Sequence, residues 1–257
     1  MKSRRPKVPG PATSAAKADD LRGALRRTLL LFDIDGTLVL TGGAGSRAMT
    51  TAFAELFAVP DAFRGIDMPG RTDCWILNDA FALHRLPGGA DQRSQFHDVY
   101  LRHLVIELER AHVQKRVMPG VRPLLDTLSS REDVYLALLT GNFEAAARAK
   151  LEYFDLWRYF ACGAFGDAAP DRNGLLPKAI AQVTACGGPT VPAADAIIIG
   201  DTPLDVACAA ASRARSIAVA TGRYSVSELA QAGADIVFED LSDTRRVLDA
   251  IKTLAGR

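Results

Sequence analysis

The sequence contains no Cys-x-x-Cys pair and only four cysteines, Cys74, Cys162, Cys186 and Cys208, spread through apolar segments. None is joined to His at zinc-like spacing, which excludes a structural zinc site. We read them as four buried thiols of a reducing cytoplasm. The histidines, His84, His97, His103 and His112, fall in one stretch and none pair four residues apart on a helix. They read as surface or packing residues. No apolar run is long enough to span a bilayer, and residues 1–27 lack the continuous apolar core of a signal peptide. That segment, rich in Arg, Lys, Pro, Ala and Ser, reads as a flexible basic tail; Asp19 and Asp20 weigh against an amphipathic targeting segment. A net charge of +1 over 257 residues gives no general attraction to nucleic acid or anionic membrane. An anionic ligand must therefore be held by a local site. Lysine is absent from Thr28 through Gln114.

What is present is a chain apolar enough to bury a large core. Short apolar runs at 29–32, 134–139, 160–165, 196–199, 216–220 and 236–238 read as strands. Helical patterns separate them at about 143–153, 175–185, 203–212, 225–232 and 243–254. Such alternation predicts an α/β fold with a doubly wound, mostly parallel sheet. Residues 44–115 break the rhythm, being helical only, in pieces at about 45–58, 72–84 and 90–111. Val59-Pro60-Asp61 and Leu86-Pro87-Gly88-Gly89 punctuate them. A parallel crossover needs far fewer residues than this. We expect a helical domain over 44–115, inserted into a core made of 28–43 and 116–257.

Chemistry concentrates at the strand ends. Asp33-Ile34-Asp35-Gly36-Thr37 follows the first apolar run directly. In extended chain Asp33 and Asp35 share one side, and the carboxyl end of a central parallel strand is where such folds bind ligands. Gly200-Asp201-Thr202-Pro203-Leu204-Asp205 follows the 196–199 run. Alone, it reads equally well as a helix N-cap with Pro in the first turn. Two acidic clusters at neighbouring strand ends would repel unless a cation lay between them, and hard oxygen donors select Mg²⁺. Leu139-Thr140-Gly141-Asn142 opens a third helix; Thr140 offers a hydroxyl, and Gly141 and Asn142 offer N–H groups suited to an anion. A plain turn capped by Asn fits that segment as well. Arg172 and Lys178 are the candidate cations for neutralising phosphate charge.

These four segments, in this order, resemble the motifs of the haloacid dehalogenase superfamily: Asp-x-Asp-Gly-Thr, Ser/Thr, a basic residue, and Gly-Asp-x-x-x-Asp. The resemblance runs from Thr28 almost to the end of the chain. It implies a Rossmann-like core sheet in the order fifth, fourth, first, second, third. The insertion after the first motif is similar to the helical cap of phosphoglycolate phosphatases and β-phosphoglucomutases. Carried over, the resemblance makes Asp33 the nucleophile and a Mg²⁺ ligand. Asp35 becomes the general acid and base and lends the metal its backbone carbonyl. Asp201 ligates Mg²⁺, Asp205 supports it or ligates through water, and Thr140 with the backbone after it holds the phosphoryl oxygens. In the third motif the family's Lys-Pro-x-Pro is missing. Aligning Pro177 and Ala181 with the helix that follows puts Arg172 on the basic position, with Lys178 as the alternative.

Family dehalogenases lack the second Asp of the first motif, so Asp35 argues for a phosphatase. Phosphonoacetaldehyde hydrolases use a cap lysine, which residues 28–114 cannot supply. β-Phosphoglucomutases carry His twelve residues after the nucleophile; here that position is Gly45. A phosphomutase remains the alternative enzyme, and a phosphate-responsive binding protein without turnover the alternative class. The expected substrate is a small anionic phosphorylated metabolite such as phosphoglycolate. Arg71, in Pro69-Gly70-Arg71-Thr72-Asp73, is the cap residue expected to contact it.

Overall fold

The structure, a computed structural model, describes residues 27–256; the tail expected over 1–27 lies almost wholly outside the described residues. Its centre is β1 (Thr28–Phe32), whose five residues are all buried. Successive side chains of a strand point to opposite faces, and β1 separates two cores accordingly. Leu30 and Phe32 face one hydrophobic cluster, Leu29 and Leu31 the other. Each buried leucine contributes about 1.5–3 kcal/mol over leaving it exposed.

After β1 the chain forms the two-residue strand β2 (Val39–Leu40). Three helices follow: α1 (Ala44–Phe57), α2 (Asp73–Leu83) and α3 (Ala90–Glu109). The chain re-enters through β3 (Arg116–Val117), which pairs antiparallel with β2. Then come α4 (Val121–Ser129), β4 (Val134–Leu139), α5 (Glu144–Tyr153) and β5 (Gly163–Ala164). Next are α6 (Leu175–Ala185), β6 (Ala196–Gly200) and α7 (Pro203–Ala211). The chain closes with β7 (Arg215–Val219), α8 (Val226–Gln231), β8 (Ile236–Phe238) and α9 (Thr244–Leu254). The main sheet runs β5-β4-β1-β6-β7-β8, and every pairing in it is parallel. Helices α4, α5 and α9 cover one face, α6 and α7 the other. This is the doubly wound arrangement expected from the alternation, extended at one edge by β8.

The three inserted helices close a core of their own around Phe53, Phe81, Phe96 and Tyr100. Phe143 and Ala146, from the start of α5, belong to that same cluster. The insertion thus rests on a core helix as well as on itself.

Three local features differ from expectation. Helix α4 was not anticipated, although Val121, Leu124, Leu125 and Leu128 bury one face at helical spacing. The β2–β3 pair is too short to leave a periodic signal. The apolar run at 160–165 yields only two strand residues. The cysteines also differ: Cys208 alone is buried, Cys74 and Cys162 are half-buried, and Cys186 is exposed at the end of α6. Among the described residues no disulfide forms, and no helix is long and apolar enough to cross a membrane.

Candidate active site

Parallel strands end together, so β1, β4 and β6 deliver their following residues to one edge of the sheet. From β1 comes Asp33, buried and tied to the next strand by its N–H, which donates to Ile199 O at 2.9 Å. The chain then turns at once, with Leu38 N–H donating to Ile34 O at 2.9 Å. Gly36 permits this turn at φ 85°, where a side chain would be strained. A Cβ there would also lie 2.3 Å from Asp201 Oδ2.

From β6 come Asp201 and, in the first turn of α7, Asp205. The end of β6 is both a helix cap and part of the acidic cluster. Thr202 caps α7, and Asp205 Oδ2 accepts from the Thr202 N–H at 3.0 Å and hydroxyl at 2.7 Å. Its other oxygen accepts from the guanidinium of Arg172. Oxygens of Asp33, Asp201 and Asp205 lie within 4.8 Å of one another, and all three residues are buried.

Arg172 lies 2 % exposed in a 3₁₀ turn before α6, with Nη2 2.9 Å from Asp33 Oδ1. Its Nη1 donates to Gly70 O of the insertion at 3.0 Å. Burial works against its charge, but the Asp205 and Asp33 carboxylates outweigh burial and raise its pKa. Lys178 is exposed on α6 and is not part of the cleft. Leu175, Leu176 and Ala179 take that helix's buried face, which turns Lys178 to solvent. This corrects its place among the candidate site residues.

One guanidinium cannot balance three buried carboxylates. Burial, joined by the Asp33 and Asp205 charges, drives the Asp201 carboxyl well above its usual range. Burial likewise raises Asp33 to about 6 against the pull of Arg172. Bare backbone surrounds Asp201 on two sides, since a Cβ on Gly222 would sit 1.7 Å from its Oδ2. An all-oxygen donor set with excess negative charge, held in so close a cradle, fits a hard divalent cation.

β4 delivers Thr140, Gly141 and Asn142. Gly141 and Asn142 line the cleft; Thr140 is fully buried behind them. Its Oγ1 accepts from Asn142 Nδ2 at 2.8 Å. The structure therefore presents Asn142 to the cleft where the family pattern expects the hydroxyl of Thr140. Asn142 Nδ2 also donates to Asp35 Oδ2 at 2.8 Å. That oxygen receives a second donor missed in the sequence, Lys150 Nζ, at 2.6 Å. The available signal was a lysine on the buried face of α5, beside Ala146, Ala147 and Leu151.

The insertion closes over this edge, leaving a cleft of about 580 Å³. Asp73 N–H donates to Gly141 O at 2.7 Å, and Phe143 N–H returns to Asp73 Oδ2 at 2.9 Å. The Thr72 hydroxyl donates to Pro170 O at 3.1 Å. Arg71 lines the cleft, stacks 4.0 Å over Trp75, and pairs with Asp79 at 2.5 Å. Among the described residues its buried Nε finds no hydrogen-bond partner.

Asp73 also gives the fold a pH dependence. Burial raises its carboxyl from 3.8 to about 7, with Lys150 and the Phe143 N–H pulling the other way. A raised folded pKa means the folded state binds this proton more tightly than the unfolded state. Stability from this group is therefore present at low pH and lost as pH climbs from about 4 to about 7. Asp73→Asn should flatten that decline by up to about 1.4 kcal/mol per pH unit. Urea denaturation in chelator across this window measures it; parallel curves for the two proteins would assign the proton elsewhere.

Residues 30–210 match the model of the family described as haloacid dehalogenase-like hydrolase. The chain belongs to that family. Among curated relatives, a phosphoglycolate phosphatase of Pseudomonas savastanoi pv. phaseolicola is 31 % identical over 219 residues, spanning 83 % of this chain and 76 % of its own. Phosphoglycolate phosphatase 1 of Pseudomonas aeruginosa is 30 % identical over 222 residues, 84 % of this chain and 77 % of its own. A solved hydrolase from Pseudomonas syringae shares the fold with TM-score 0.63 at 22 % identity, covering 88 % of this chain and 99 % of that one. The family member described here is accordingly a hydrolase of the phosphatase class.

Proposed function

We propose that the protein is a Mg²⁺-dependent phosphatase of the cytoplasm, acting on a small anionic phosphate monoester of the phosphoglycolate kind through an aspartyl-phosphate. The observation that carries this reading is Asp33, buried between Arg172 and Asp201 and opening, with Asp35, on one cleft. Its close curated relatives bear the name phosphoglycolate phosphatase.

Asp33 would attack phosphorus while the ester P–O bond breaks, and Asp35 would give its proton to the departing oxygen. Asp35 would then take a proton from water, whose oxygen attacks phosphorus and releases Asp33. Arg172 and the backbone N–H groups of Gly141 and Asn142 would hold the phosphoryl oxygens. Asp33, Asp201 and the backbone carbonyl of Asp35 would hold the ion, which supplies charge neutralisation when bound. With both oxygens already engaged, Asp205 fits the supporting role, orienting Arg172. Residues 44–115 would act as the cap that encloses the ester, with Arg71 as its contact to the substrate's anionic group.

Turnover of phosphoglycolate should vanish in chelator and return with added Mg²⁺, read against a panel of sugar, acid and nucleotide phosphates. Unchanged turnover after exhaustive chelation would remove the metal from the reading. Preference for another member of the panel would replace the substrate.

A further inference from the structure

A lysine in the wall of an acid–base site has to be explained, because a buried ammonium is stable only when paired. Lys150 reaches from α5 to the turn after β1, 115 residues away, and is 4 % exposed. Its Nζ donates to Asp35 Oδ2 and to Asn142 Oδ1, each at 2.6 Å. Asn142 Nδ2 completes a ring by donating to the same Asp35 oxygen at 2.8 Å. Both donors therefore converge on Oδ2. Asp35 Oδ1 makes no hydrogen bond among the described residues, and Asp35 faces the cleft with 43 % of its side chain exposed. The ring also fixes the Asn142 carboxamide. With its oxygen claimed by Lys150, the NH₂ must face Asp35 and Thr140 Oγ1.

We infer that Lys150 is the positioning residue for Asp35: it occupies Oδ2, locks the Asn142 amide, and leaves Oδ1 as the oxygen that exchanges the proton. The inference rests on the phosphatase reading, since it names the group that aims that reading's acid. The acid is held by two donors of this chain rather than by the substrate, so the free oxygen is in place before the ester binds. Without Lys150 the amide can turn over, put its own oxygen against Asp35, and swing the carboxylate out of line.

The consequence falls on leaving groups that cannot depart without a proton. In Lys150→Met, kcat/KM for an alkyl ester such as phosphoglycolate should drop about 10²-fold, the lower end of what general acid catalysis supplies. For p-nitrophenyl phosphate, whose phenolate departs unprotonated, kcat/KM should change by less than about threefold, since only the acid is disturbed. Lys150→Arg, which keeps a cationic donor, should recover at least about tenfold on the alkyl ester. Equal losses on both esters, or none on either, with wild-type turnover normal, would overturn the role of Lys150 alone. If Lys150→Met fails to fold, the same comparison is read on Lys150→Arg and Lys150→Gln, with the alkyl ester again suffering more. Absence of turnover of both esters by the wild type would bring down the phosphatase reading itself, and this inference with it.

Discussion

Asp33→Asn is expected to abolish turnover, by about 10⁴- to 10⁶-fold, the scale at which nucleophile removal is felt in other covalent catalysts. An amide oxygen does not form a stable acyl-phosphate under these conditions, and no other carboxylate can replace Asp33 at the same point. Asp201 is held by the Thr37 hydroxyl at 3.2 Å and Asp205 by its helix cap. The fold should survive. Burial raises Asp33 to about 6 in spite of Arg172, so its ionisation at neutral pH costs the metal-free protein stability. That cost builds as pH rises from about 4 to about 6, and a neutral amide does not carry it. Metal-free Asp33→Asn should therefore melt no lower than wild type above pH 7. Appreciable hydrolysis by the folded variant, with deamidation excluded by mass spectrometry, would sink the covalent mechanism.

Arg172→Ala should be the second most damaging change, on two independent readouts. Its guanidinium lies between Asp33 and Asp205 with 2 % exposure. Deletion removes a charge-assisted contact to phosphate, and kcat/KM should fall about 10³-fold, as with other preorganised cationic groups. It also strands buried carboxylates, a loss of about 3–5 kcal/mol when one partner of a buried pair is removed. The destabilisation should shrink when Mg²⁺ is added, because a bound cation compensates the same charges. Lys178→Ala, on an exposed face of α6, should stay within about twofold of wild type, the range of surface substitutions. The reverse ranking in two folded variants would return the basic role to Lys178.

The parts of the site that were legible in the sequence are those written in consecutive residues. Asp33 and Asp35 follow a run of apolar residues that only a central strand buries on both faces. Asp201 and Asp205 follow another such run. Sheet order then brings the two together, since β1 and β6 are neighbours. Lys150 was not legible because its partner is 115 residues away and no spacing rule links them. Only its place among buried alanines on α5 gave a hint. Asp73 and Tyr100 were hidden in the same way: each lines the cleft from the insertion, and Phe143, which bonds to the one and packs on the other, is distant in sequence. Between Arg172 and Lys178 the sequence offered only the Pro177 and Ala181 alignment, which favours Arg172; the structure buries Arg172 beside Asp33 and leaves Lys178 exposed. Thr140 was expected in the cleft because the hydroxyl, not the neighbouring amide, is the family's usual group there. Its burial behind Asn142 is a property of packing at the end of β4.

Main-chain atoms take part in most of the hydrogen bonds between the insertion and the sheet edge. Gly70 O, Asp73 N, Gly141 O, Phe143 N and Pro170 O each take part in a hydrogen bond across this seam, while Arg223 and Asp67 pair through their side chains at 3.0 Å. A Cβ on Gly141 would fall 2.2 Å from Arg71 O, so the two backbones lie against each other with nothing between. The Arg71 side chain takes no direct part in these bonds; its own partners, Asp67 O and Asp79, lie within the insertion. On the proposed reading of Arg71, the contact to the leaving group could be exchanged while this seam stays as it is. On that reading selectivity and docking lie in adjoining atoms of one short strip, and an engineer could rewrite the first without touching the second.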